Sequence, residues 1–228
     1  MSHKFDRYKD TYREEVGRSI GFIRQDVDFF TEAKARSLLE LAERELGDPG
    51  GLRALDVGCG VGETDRFLAG CFSSLDGVDV SQGAVEAAAA KNAWANYASY
   101  DGETLPYESQ RFDLTFTICV MHHVPPDKWG DFTAEMARVT RPGGAVVVFE
   151  HNPLNPLTRL AVNRCAFDDD AVLLRMRRTK ELLARALLGV SDARFILFLP
   201  WHLKGFDRIE SRLGKLPLGA QYYVAGRK

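Results

Sequence analysis

Apolar positions in the first part of the chain fall at roughly helical spacing, Phe29, Phe30, Ala33, Leu38, Leu39 and Leu41 among them. Residues 4–46 contain little glycine and no proline, which predicts two helices broken near Gly21. A GDPGG turn at Gly47–Gly51 ends the second. From Leu52 the pattern changes to short apolar runs alternating with helical segments. LRALDV (52–57) predicts a first strand, followed by a helix around Glu63–Phe72. SSLDGVDV closes a second strand near Asp79, and Ser81 stands as a helix N-cap before an alanine-rich run. NYASYD gives a third strand and FDLTFTICV (112–120) a fourth, rich in β-formers. The segment PPDKWGDFTAEMARVT opens on prolines, as a helix start does, and stops before Pro142-Gly143-Gly144. AVVVFE (145–150) is a continuous apolar run, the pattern of a strand buried on both faces. A helix around Thr179–Leu188 and two strands, ARFILFLP (193–200) and AQYYVAGR (220–227), close the chain. Strands alternating with helices imply a parallel sheet with right-handed crossovers.

Composition adds few constraints. With 228 residues, 45% hydrophobic and 27% charged, the chain can bury a core without disulfides or a structural metal. The formal net charge of −2 argues against a broad grip on a nucleic-acid backbone. The N-terminus MSHKFDRYKDTYREEVGRS lacks an apolar leader core, and no run approaches the roughly 20 apolar residues of a membrane span. Cys59, Cys71, Cys119 and Cys165 form no CxxC pair, so neither a zinc motif nor a disulfide framework is indicated. A reduced, cytoplasmic protein is the expectation.

Asp56-Val57-Gly58-Cys59-Gly60-Val61-Gly62, directly after the first strand, carries the most information. Glycines there let the backbone turn tightly and approach a ligand closely. Such a turn alone serves NAD, FAD, a phosphate or S-adenosylmethionine (SAM), or is simply a turn. A dinucleotide motif has a third glycine where this chain has Glu63, a carboxylate that repels a pyrophosphate but suits a ligand that carries an ammonium group. Asp79, about 20 residues on at the end of the second strand, can accept from two ribose hydroxyls. Asp101 and Gly102 follow the third strand, where a carboxylate can accept from the adenine amine and a glycine leaves room for the ring.

The ordered series LDVGCGVGE, GVDVS, DGETLPY, RFDLTFTICVMHHV and RPGGAVVVFE resembles the class I SAM-dependent methyltransferases, nearest to their small-molecule, quinone-biosynthesis-like branch. The resemblance covers roughly residues 50–151, with a lid-like N-terminus at Phe5–Tyr12. It implies an α/β, Rossmann-like, doubly wound sheet of seven strands, mostly parallel with an antiparallel last strand and helices on both faces. In that arrangement Asp56, Gly58, Cys59, Gly60 and Cys119 line the methionine end of SAM. Asp79 holds the ribose, Val80, Asp101 and Gly102 edge the adenine, and Tyr12 closes over the cofactor. An acidic residue usually follows that tyrosine; Arg13 stands there instead. The chain then reads as one domain over 1–228, comprising a helical lid (1–46), a SAM-binding core (50–151), a substrate-side insertion (152–180) and closing elements (181–228).

The expected reaction is methyl transfer from SAM, leaving S-adenosylhomocysteine, to a small molecule. O-methylation is favoured, and glycan or secondary-metabolite precursors are among the candidate acceptors. An acceptor hydroxyl needs a base, and His122 and His151, at the ends of strands four and five, are the candidates. His122, His123, Glu150 and His151 suit a divalent metal by residue type but not by spacing, so no metal is expected. The basic residues Arg159, Arg164, Arg175, Arg177, Arg178 and Lys180 read as an anion-binding set or, more simply, as a solvated face balanced by Asp168–Asp170. Neither a nucleic-acid nor a membrane partner is expected, and monomer or homodimer both remain open. A nucleic-acid methyltransferase and a non-catalytic SAM-binding protein are the alternatives. The former lacks its usual Asp/Asn-Pro-Pro-aromatic motif after the fourth strand, where Cys119-Val120-Met121-His122 stands.

Overall fold

The computed structural model describes residues 11–23, 25–199 and 213–228. Helix α1 (Tyr12–Ile20) and helix α2 (Val27–Leu46) lead the chain, separated at Gly21 by a single 3-10 turn. Asp26 caps α2 by accepting from Phe29 N at 2.9 Å, and Gly47 at φ 90° releases the chain from its end. The seven strands are β1 (Arg53–Val57), β2 (Ser74–Asp79), β3 (Asn96–Ser99), β4 (Phe112–Ile118), β5 (Thr140–His151), β6 (Gly189–Ile196) and β7 (Gln221–Arg227). They form one sheet in the order β3-β2-β1-β4-β5-β7-β6. The first five strands pair in parallel, while β7 runs antiparallel to both its neighbours. This is the expected sheet.

Alternation along β5 shows why the central runs are wholly apolar. Val147 and Phe149 enter the core against α2, with Leu38, Leu41, Leu114 and Phe116. Val146 and Val148 enter the opposite core against α4 (Trp129–Val139) and α6 (Met176–Arg185), with Phe132, Met136, Leu182 and Leu183. Both faces are therefore covered. Strand order reverses at β1, between β2 and β4, and a ligand cleft opens at such a switch point, beyond the strands' carboxyl ends.

Two elements differ from expectation. No α-helix follows the glycine loop; the segment predicted as helix over Glu63–Phe72 holds only a 3-10 turn, Asp65–Phe67. Gly62 and Gly70 both adopt positive φ (68° and 72°), leaving about two helical turns between them. Within that span Asp65 turns inward to accept from the Tyr97 hydroxyl at 2.7 Å. The fifth strand starts earlier than predicted, because Arg141–Gly144 extend it instead of forming a turn before it. The predicted helix from Pro125 begins at Trp129, after a turn closed by Lys128 N donating to Pro125 O at 2.8 Å. Helix α3 (Gln82–Lys91) starts as expected, with Ser81 Oγ accepting from Ala84 N at 3.0 Å. Helix α5 (Pro156–Val162) lies in the 152–180 segment. Phe5 and Pro200 lie outside the described residues. Among the described residues, no helix is long and apolar enough to cross a membrane.

Candidate active site

The glycine loop is shaped by its conformation. Gly58, Gly60 and Gly62 all take positive φ, which side chains resist. A Cβ on Gly58 would stand 2.5 Å from Val120 Cγ2, so the loop can pack against the end of β4 only as glycine. Asp79 braces it from β2, accepting from Gly60 N and from Ser81 N, each at 2.9 Å.

A cleft of about 820 Å³ opens over this loop. Every expected cofactor residue lines it: Tyr12, Asp56, Gly58, Cys59, Gly60, Asp79, Val80, Asp101, Gly102 and Cys119. Asp101 stands at the rim, its Oδ1 accepting from Glu103 N and Thr104 N at 2.8 Å, and these bonds hold its pKa down. Seven acidic side chains line the cleft against two lysines and no arginine; Glu63 and Glu135 are paired with Arg13, Lys91 and Arg138 behind the lining, and the other five still outnumber the lysines. That balance repels a pyrophosphate and suits a cationic ligand, so the residues present fit SAM better than a dinucleotide.

Beneath the loop lies a group that the sequence did not announce. Asp56 and Asp65 are both buried. Burial first, and then the repulsion between them, raises the Asp56 pKa well above the carboxylate range. Burial likewise lifts Asp65 to about 6, against the opposing effect of its bonds to Tyr97 and Asp56. Two carboxyls so placed share a proton.

A second cavity, of about 180 Å³, adjoins the cleft. Tyr12, Thr31, Lys34, Cys119, His123 and Phe167 line both. Tyr12 stacks on Phe167 with ring centroids 5.4 Å apart, so α1 and the 152–180 segment meet at the junction. The far walls are largely apolar, from Val16, Ile20, Val27, Phe30, Val162 and Leu197. Cys119, which lines both spaces, takes φ 58°, a strained setting for a residue with a side chain. Sequence reasoning missed Lys34, Phe167, Asp168 and Gln221. Asp168 reads in sequence only as one of three solvated acids.

The two candidate bases are not equivalent. His122 is buried, with Nδ1 2.7 Å from Glu150 Oε2 and Nε2 3.7 Å from Asp168 Oδ1. Burial opposes its charge, but Glu150 and Asp168 more than offset that and raise its pKa. Nδ1 is thus engaged by Glu150, while Nε2 faces Asp168 beyond hydrogen-bond range; this setting favours the charged ring and makes His122 a weaker candidate for the base than His151. His151 lines the cavity, its pKa lowered to about 4 by burial and then by His122, so it is neutral at pH 7. The same causes lower His123 to about 4. The ligand atoms that come within 4.8 Å of one another belong to His122, His123 and Asp168; Glu150 supports the group from behind, and His151 is not part of it. None of the six basic residues at 159–180 lines the cavity. Arg177 instead pairs with Glu181 at 3.0 Å, as a solvated face does.

The family model for a methyltransferase domain matches residues 54–144. The chain is 28% identical over 151 residues to the phthiotriol/phenolphthiotriol dimycocerosates methyltransferase of Mycobacterium tuberculosis, covering 64% of this chain and 53% of that one. It is 33% identical over 108 residues to the 2-methyl-6-phytyl-1,4-hydroquinone methyltransferase of Synechocystis, covering 46% and 33%. The chain therefore spans about half or less of the length of these curated relatives. A crystal structure of a SAM-dependent methyltransferase from Thermotoga maritima superposes over 99% of both chains, with a TM-score of 0.68 at 19% identity, and shares the fold. The ordered motifs, the strand order and these matches agree on the class I SAM-dependent methyltransferase family, whose domain model covers residues 54–144 of the chain.

Proposed function

We propose that this protein transfers the methyl group of SAM to a hydroxyl of a small, largely apolar acceptor. The observation that carries this reading is the adjoining pair of spaces: an acidic cleft over the glycine loop and an apolar cavity that shares Tyr12, Cys119, His123 and Phe167 with it. Such a pair holds donor and acceptor in line, and positioning supplies much of the rate. The names of the relatives, a phthiotriol and a phytyl hydroquinone methyltransferase, are consistent with a hydrophobic hydroxylated acceptor. An acidic cleft is also a poor seat for a nucleic-acid backbone.

When bound, SAM supplies an electrophilic methyl group. The chain's own residues do the rest. Tyr12 and Phe167 wall the junction, and stacked rings there exclude water from the transfer. His151 receives the hydroxyl proton. Gln221 prepares it: Nε2 lies 3.3 Å from His151 Nδ1 and 3.6 Å from Cys119 Sγ, while the buried Oε1 has no hydrogen-bond partner. A half-turn of the carboxamide puts Oε1 opposite Nδ1–H and leaves the lone pair on Nε2 of His151. Lys34, at the same junction, balances the negative charge that develops on the acceptor oxygen.

The test is a screen of hydroxylated apolar acceptors, among them prenylated hydroquinones and long-chain alcohols, using SAM with a labelled methyl group. Labelled ether products with release of S-adenosylhomocysteine are expected. Transfer only to nitrogen or carbon acceptors, or to nucleic acid, would overturn the reading.

A further inference from the structure

We propose that His122, His123 and Asp168 form a divalent-cation site that opens on the acceptor cavity. The three ligand atoms, His122 Nε2, His123 Nε2 and Asp168 Oδ1, converge on one point from β4's exit loop and from the 164–172 loop. Asp168 Oδ1 lies 3.3 Å from His123 Nε2 and 3.7 Å from His122 Nε2. Direct charge-assisted hydrogen bonds settle at about 2.7–2.9 Å. Ligands each about 2.1 Å from a tetrahedral ion stand about 3.4 Å from one another, a value that the two Asp168 distances bracket, and all three ligand atoms lie within 4.8 Å of one another. Asp168 Oδ1 is buried and makes no hydrogen bond.

The surroundings match such an ion. Glu150, fully buried, receives the Nδ1–H of His122 at 2.7 Å, which turns that ring's Nε2 toward Asp168, where an ion would take the place of the Nε2 proton. A carboxylate behind a histidine is how proteins orient imidazole ligands to metals. Glu150 and Asp168 bring two carboxylates into a nearly dry site, where a dication balances both and a single imidazolium balances one. The 164–172 loop is held in place by successive turns, Asp168 N to Cys165 O at 3.1 Å and Ala171 N to Asp168 O at 3.0 Å. It is also tied to the exit loop by Val172 N to His122 O at 2.8 Å. All three residues line the acceptor cavity, so the fourth position of the ion faces an incoming acceptor oxygen. Two imidazole nitrogens and one carboxylate select a first-row transition ion over magnesium or calcium. Such an ion would hold the acceptor oxygen and lower its pKa. That role, though not the binding itself, rests on the cavity being the acceptor site.

Cobalt titration of untagged, chelator-treated protein, without SAM or acceptor, tests the site by visible absorption and thermal shift. One cobalt per chain is expected, with a tetrahedral absorption band displaced by zinc. His123→Ala and Asp168→Ala should each weaken binding by at least about tenfold, and Glu150→Gln by about 10- to 100-fold. SAM titration of the same variants reports whether they remain folded and keeps a failure of this site distinct from a failure of the cofactor assignment. Absence of stoichiometric binding to the wild-type protein overturns the proposal, as does unchanged binding in folded His123→Ala and Asp168→Ala.

Discussion

Arg13 Nη1 holds Glu63 Oε2 at 2.6 Å, and so ties the helix that carries Tyr12 to the turn that follows the glycine loop. The same guanidinium reaches Asp28 on α2 at 2.6 Å. Glu63 is 8% exposed at its side chain and also pairs with Lys91. The basic residue that departs from the family's usual acidic one thus has partners here, and it ties α1 to α2 and to the turn after the glycine loop. Arg13→Ala should weaken SAM binding by roughly two- to fivefold, the value of a partly exposed pair, and raise its dissociation rate. Unchanged affinity and rate in a calorimetric and stopped-flow comparison would show that α1 is not held by this pair.

Gly58→Ala places a Cβ 2.5 Å from Val120 at φ 83°. The loop must then shift, and strain of this kind costs about 1–3 kcal/mol. SAM affinity should be lost while the circular dichroism spectrum keeps its α/β form. Wild-type affinity would mean that the loop does not contact the cofactor.

His151→Ala should spare SAM affinity and lower turnover by about 10²- to 10⁴-fold, as loss of a general base does. A base acts when deprotonated, and burial with His122 nearby holds His151 at about 4. The acid limb of the rate profile therefore falls near pH 4, not near the usual histidine value, and the rate stays flat from about pH 5 upward. A limb centred near 6.5 would assign the proton to another group.

Asp65 gives a stability prediction with a defined sign. Its folded pKa of about 6 lies above the ordinary aspartate value, so its ionisation costs the folded state. That cost is absent below the unfolded pKa, grows through the interval, and is fully present above about pH 6. Asp65→Asn cannot ionise, so the melting temperature of the variant should gain on the wild type as pH rises from about 4 to 7. A difference independent of pH would mean that Asp65 is not held protonated.

Most of the sheet was legible because its signals are local. AVVVFE declares a strand buried on both faces, and the glycines after LRALDV declare a tight turn at its end. The missing helix after Gly62 was not legible, because it depends on Asp65 meeting Tyr97 from a strand 32 residues away. The candidate site divides in the same way. Asp79 sits at a strand end that spacing locates, whereas Asp168 reaches His122 and His123 through a loop whose path no periodicity records. His122 and His151 read alike in sequence as strand-end histidines. Both line the cavity, and only the positions of Glu150 and Gln221 separate an imidazole set against carboxylates from one set against a carboxamide.

In the proposed function the acidic cleft over Gly58–Gly62 binds SAM through Asp79. Calorimetric titration of the wild-type chain and of Asp79→Ala with SAM, S-adenosylhomocysteine and NAD tests it most directly. Binding of SAM and S-adenosylhomocysteine but not NAD is predicted, weakened in Asp79→Ala by about 1.5–3 kcal/mol, the value of hydrogen bonds to a charged group. Binding of NAD in preference to SAM, or SAM affinity unaltered by Asp79→Ala, would contradict it.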